Sequence, residues 1–205
     1  MNNINTGVGM GASTLSTEKR YTRQGLISLF LICAFPLHAW TIILVLRDLS
    51  WVAERTNIWD AVGVGAYGLV FAFFESLIVF AVFTLFGFFT PRRWTVDKRI
   101  AFLSLLVLLL SAWAIVSQLL FLWNISLPFS VLQSLIRSGH PVRILYAVSL
   151  SIVTLSVGVP VYLFMRSDQF IRSFQGLCER LSLLTGFYLF LDLAGLVIVI
   201  IRNIS

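Results

Sequence analysis

Charged side chains are what this 205-residue sequence has least of. Asp, Glu, Lys and Arg together make up 12% of it, against 59% hydrophobic residues, and that leaves too little polar surface to wet a soluble globule of this length. Cysteine occurs twice. Cys33 lies inside an apolar run and Cys178 in a connector, which excludes a disulfide framework and a cysteine-based metal cluster. The sequence lacks HExxH, GxSxG and any paired His and acid at ligand spacing, so nothing in it motivates an enzyme reading. Long polar connectors are absent too, and no separate soluble catalytic domain can fold between the apolar runs.

What remains is five hydrophobic stretches: Leu26 to Leu46, Ala61 to Phe89, Ala101 to Trp123, Val142 to Met165 and Leu181 to Ile201. A helix needs roughly 20 apolar residues, each rising about 1.5 Å, to cross about 30 Å of hydrocarbon. Every run is long enough. The chain is therefore predicted to be an all-α, polytopic membrane protein with five transmembrane helices and short connecting and interfacial helices. Residues 1–20, rich in Asn, Gly, Ser and Thr, read as a disordered cytoplasmic tail ahead of a single membrane domain over 21–205. The first run is too long for a signal peptide, and Leu37 is too large for the cleavage position before Ala39, so it is expected to be retained.

Basic residues set the expected orientation. With the N-terminus inside, the inner segments hold Lys19, Arg20, Arg23, Arg92, Arg93, Lys98, Arg99, Arg166, Arg172 and Arg180, whereas the outer ones hold Arg47, Arg55, Arg137, Arg143 and Arg202. Ten against five places the N-terminus in the cytoplasm and the C-terminus outside, in a plasma (inner) membrane. The run Arg92, Arg93, Lys98 and Arg99 is expected at lipid headgroups. The net charge of +6 thus reads as a topology signal, and no nucleic-acid partner is implied.

Connectors carry further patterning. Phe170, Phe174, Leu177 and Leu181 oppose Asp168, Arg172, Gln175 and Glu179, which predicts an amphipathic surface helix or a wet extension of the fifth span. Val131, Leu132, Leu135 and Ile136 form an apolar strip after Pro128 and predict a second surface helix. Leu49, Val52 and Trp59 suggest a third in the first outer loop. Trp40, Trp51, Trp59, Trp94 and Trp123 fall near span ends, where an indole buries its ring and keeps its N–H wet.

Several motif matches carry no chemistry. Gly63, Gly65 and Gly68 spell GxGxxG, but the strand, the βαβ unit and the acidic residue that a dinucleotide site needs are missing. Asn124 to Ser126 and Asn203 to Ser205 read as sequons pressed against span ends. His38 and His140 lie at different depths, so they do not form a haem ligand pair. His38 is expected to be satisfied within the bundle and His140 to lie at the surface. No cofactor and no metal are implied.

Two acids stand deep in the membrane, Glu75 and Asp192. An ionised carboxylate at that depth costs at least about 2.5–3.5 kcal/mol, so such groups seldom face lipid. Ala61, Gly65, Gly68, Ala72 and Glu75 follow a four-three spacing that predicts a small, close-packing face bearing the carboxyl. On the fifth span Thr185, Tyr188, Asp192 and Gly195 share a stripe, and Ser104, Ser111 and Gln118 on the third with Ser151, Thr154 and Gly158 on the fourth predict a partly polar interior. No Lys or Arg reaches that depth, so the carboxyls are expected to lack an internal salt-bridge partner, and a proton or cation is their natural counter-species.

Three roles compete for Glu75, Asp192, Tyr188 and Thr185: a neutral hydrogen bond holding helices together, a contact to another subunit, and a proton or cation site. Five spans do not divide into two equal halves, so the inverted repeats of many transporters are absent. The expected role is an interaction or accessory subunit of a membrane assembly, in contact with the bilayer and with a protein partner or further copies of itself. The alternative is a small proton- or cation-coupled transporter or channel using the midplane carboxylates.

Overall fold

A computed structural model describes residues 21–91, 93–122 and 128–204. Among them every regular element is helical: α1 (Arg23–Arg55), α2 (Ile58–Phe86) with a 3-10 turn at Gly87–Phe89, α3 (Val96–Leu122), α4 (Phe129–Arg137), α5 (Pro141–Arg166) and α6 (Asp168–Ile204). Five of these are long and apolar enough to cross a membrane. Only helices and closed barrels can satisfy all backbone N–H and C=O groups without water, so five apolar runs leave the chain no other regular structure. The protein is a multi-span helical membrane protein.

Local signals fix the ends. The Thr22 hydroxyl accepts from the Gly25 amide at 3.0 Å and caps α1. Asn57 caps α2 by accepting from the Asp60 amide at 2.8 Å while its own amide group donates to the Asp60 carboxylate at 2.7 Å, a reciprocal arrangement that satisfies a free helix-end N–H. Gly139, at φ 73°, occupies the left-handed region open to glycine, and Pro141 then begins α5, where its missing N–H costs nothing. A single extended residue, Ser167, separates α5 from α6, and its hydroxyl accepts from the Phe170 amide.

Helix bounds overturn one sequence expectation for the connectors and bear out two. α1 runs unbroken to Arg55 and α2 begins at Ile58, so the loop between them shrinks to two residues and holds no separate surface helix. α4 forms as the short helix after Pro128, with no buried residue. The amphipathic segment 168–180 is continuous with the fifth span in the 37-residue α6. At about 1.5 Å per residue α6 is about 55 Å long, well beyond a bilayer core, so its first turns stand clear of the hydrocarbon. The expected tail 1–20 lies outside the described residues.

Packing is uneven along the bundle. Among the described residues α1 touches α2, α3 and α6, whereas α5 touches only α3, α4 and α6. The apolar core sits toward the end that carries the α1 N-terminus, here the N-side. There Leu29, Ile32 and Cys33 of α1 meet Ile100, Leu103 and Val107 of α3, Phe164 of α5 and Phe174 of α6. Toward the opposite face, the C-side, α1, α2 and α6 stay together while α3 and α5 lose contact with them. Residues 142–155 of α5 are exposed throughout, and the Trp113 indole donating to the Ser156 hydroxyl at 2.9 Å is a hydrogen bond that joins α5 to α3. Ser151, Thr154 and Gly158 are thus exposed, so the fourth span adds no polar side to the interior there. On the third span Ser104 is buried, Ser111 half-buried and Gln118 exposed.

Candidate functional site

α1 and α2 form an antiparallel hairpin, and α6 runs back beside α2. Small residues on α2 let all three axes approach. Ala61, Gly65 and Ala72 are buried and Gly68 half-buried. A Cβ added to Gly65 would stand 3.2 Å from Val45, and one added to Gly68 would stand 3.3 Å from Thr41. The reciprocal approach comes from α6, where a Cβ on Gly195 would stand 3.3 Å from the Ala66 carbonyl oxygen.

This close packing encloses an ionisable pair. His38 of α1 is fully buried and Asp192 of α6 nearly so, and His38 Nε2 lies 2.8 Å from Asp192 Oδ2. The other ring nitrogen is committed: Nδ1–H donates to the Ala34 carbonyl at 2.8 Å, one turn back on the same helix. A carbonyl can only accept, so Nδ1 keeps its proton, and the Nε2···Oδ2 link must hold a second one, on either atom. The pair is then neutral as a unit, whether written as imidazole with carboxylic acid or as imidazolium with carboxylate. Pro36, inside α1, removes one backbone donor in the turn just before His38.

The surroundings hold the ring in place. Tyr188 stacks on His38, with ring centroids 6.3 Å apart and planes 14° apart, and on Phe35 at 6.4 Å. Thr185, one turn farther toward the N-side, is fully buried, and its hydroxyl donates to the Leu181 carbonyl at 2.8 Å. On α2, Ser76 is fully buried, with its hydroxyl on the Ala72 carbonyl at 2.6 Å. Asp192 Oδ1 is buried without a protein hydrogen-bond partner.

Three expectations change here. Asp192 does not lack an internal partner, since His38 supplies one. Glu75 does not continue the small-residue face: it is exposed, and Ser76 takes the inward position instead. The physical reason is helical drift. Two successive four-residue steps from Gly68 through Ala72 rotate the buried stripe toward Ser76, which leaves Glu75 about 100° away on the outer flank. The third change concerns the basic run. Arg99 is buried, and its Nε donates to the Thr90 hydroxyl at 2.8 Å while an Nη reaches the Trp94 carbonyl at 3.3 Å. It clips the α2–α3 connection and is not free for a headgroup. Arg93 is exposed, Lys98 lies 5.6 Å over the Trp94 ring, and Arg92 falls outside the described residues. His140 is exposed at the start of α5.

A second polar junction closes the C-side end of α2 and α6. Arg202 donates through Nη2 to Asp60 at 2.7 Å and through Nη1 to the Trp59 carbonyl at 2.6 Å, and the Asn203 amide donates to the Tyr67 hydroxyl at 2.7 Å. Among the described residues no three His, Cys, Asp or Glu side chains gather as a metal site. Comparisons with family models, with curated proteins and with solved structures give no match to this chain.

Proposed function

We propose that this protein is an interaction subunit of a membrane assembly and that the outer flank of α2 receives a spanning helix of a partner. One observation carries the reading: Glu75 lies exposed among Phe71, Phe74 and Ile78 on that flank. It is 17 residues from Ile58 and 11 from Phe86, so the nearer end of α2 is about 16 Å away. A glutamate side chain cannot reach water over that distance, and bare exposure to hydrocarbon would cost at least about 2.5–3.5 kcal/mol. A hydrogen-bond donor from a second helix removes that penalty. His38, the histidine at midspan, is already engaged with Asp192, and no Lys or Arg of this chain lies at midspan, so the fitting partner is a different chain bearing Lys, Arg or His at matching depth. The excess of basic residues on the N-side supports a cytoplasmic N-terminus.

Blue-native electrophoresis of the protein in its own membrane tests this. Wild type is expected to migrate in a complex and Glu75→Leu to be released from it with its fold intact. A wild-type monomer, or a Glu75→Leu variant retained in the complex, would overturn the reading. A pathway through both carboxyls has less support, because Asp192 is turned into the bundle against His38 and Glu75 away from it.

A further inference from the structure

We propose that the His38–Asp192 pair is a proton-exchange site reached from the N-side, through a cavity between α1, α3 and α6 and then along the inward face of α6. This inference does not use Glu75 and stands apart from the partner reading above.

The cavity measures about 480 Å³ and is lined by Thr22, Ser28, Asp97, Ser104, Gln175 and Glu179, among others. Two carboxylates, hydroxyls and an amide make it hydrophilic. α6 continues from its wall into the bundle with polar residues at one angular position. Gln175, Cys178, Ser182, Thr185 and Asp192 are separated by three, four, three and seven residues, which keeps them within about 100° of one another. Leu189 interrupts the face between Thr185 and Asp192. Ser76 of α2 stands one turn short of that gap, beside Thr185, and water on the unpartnered Asp192 Oδ1 has to cross the remaining turn. α2 and α6 run antiparallel with Ala66 beside Gly195, so the residue ten places after Ala66 stands level with the one ten places before Gly195, which is Thr185.

Two oxygens on this stripe, Ser182 Oγ and Asp192 Oδ1, are buried without a protein partner. Buried polar atoms are nearly always paired with protein or water, so these two mark where water enters the line. The route is open on one side only. Beyond Asp192, Gly195 presses on the Ala66 backbone, and α6 carries no hydroxyl from Leu193 to Ile201. A proton arriving along the stripe takes the Nε2···Oδ2 position as the one already there leaves, so the pair returns to the same neutral charge after each exchange.

Other titratable groups on the packed helices do not replace it. Glu75 faces outward, Cys33 and Cys178 are buried thiols, Tyr188 is stacked on the imidazole, and Asp97 and Glu179 stand exposed at the cavity.

The experiment uses the full chain in lipid vesicles with 15N-labelled histidine. The sequence holds two histidines, and a His140→Gln background leaves His38 alone. After transfer to D2O, the isotope shift of the His38 Nε2 resonance reports the bridging proton whichever atom carries it. Wild type is expected to exchange within minutes. Ser182→Val should slow exchange at least tenfold, and Ser182→Thr, which keeps the hydroxyl, should restore it. Thr185→Val, a replacement of the same shape, provides a second block if Ser182→Val fails to fold. Protection of the wild-type proton for days, or unaltered exchange in whichever valine variants fold, would overturn the proposal.

Discussion

His38 Nε2 and Asp192 Oδ2 meet at 2.8 Å across 154 residues of sequence, joining the first spanning helix to the last. Removing one member of such a pair leaves the other buried without a partner, which in protein interiors costs roughly 3–5 kcal/mol, whereas replacing both with apolar groups is far milder. Asp192→Leu should therefore destabilise the protein strongly, and His38→Leu combined with Asp192→Leu should recover much of the loss. Cys33 and Cys178 are both buried, so a thiol-reactive dye in mild detergent reports the unfolding temperature directly. Equal unfolding temperatures for the single and double variants would contradict a coupled pair.

Glycines on α6 divide into two kinds. An added Cβ meets nothing within 4 Å at Gly186, but stands 3.3 Å from the Ala66 carbonyl oxygen at Gly195. Alanine is a better helix former than glycine by roughly 0.5–1 kcal/mol, so Gly186→Ala should raise thermal stability slightly. Gly195→Val should lower it, because the larger side chain must push α2 away. The same thiol assay distinguishes the two directions.

Arg99 and Arg93 stand six residues apart and should behave differently. Arg99→Ala removes charged hydrogen bonds to Thr90 and to the Trp94 carbonyl and should cost about 1.5–3 kcal/mol. Arg93, exposed at the surface, should change stability by less than about 0.5 kcal/mol when truncated. Repeating the unfolding series in detergent with and without anionic lipid checks the assignment: lipid should not rescue Arg99→Ala.

The spans were legible because hydropathy is a local property, and the solvent that each run requires can be read without knowing its neighbours. Pairing was harder to read. His38 and His140 differ in depth, yet counting from the C-side ends of the runs puts His38 eight residues from Leu46 and Asp192 nine from Ile201, about 12 and 13.5 Å deep. Matching depths were thus present in the sequence as a signal for the pair. Glu75 lies fourteen residues from Ala61, about 21 Å deep, and that mismatch with Asp192 was equally available. Its outward aim was not, since a four-three spacing fits several choices of next residue and only the tilt of α2 against α1 and α6 selects Ser76. Arg99 illustrates a different limit: a basic residue beside a span obeys the same topology statistics whether it meets a phosphate or a threonine.

Ser167 is the one residue between α5 and α6, and from Val142 to Leu155 α5 is bare of buried contacts. The slope of a spanning helix is set either by neighbouring helices or by the thickness of the surrounding bilayer. For α1, α2 and α6 the neighbours decide, through glycine contacts and the histidine–aspartate bond. For α5 the packed end near Phe164 and the Trp113–Ser156 hydrogen bond hold the N-side half, so a thinner bilayer should bend only the C-side half, from Val142 to Leu155, while the other three helices keep their angles.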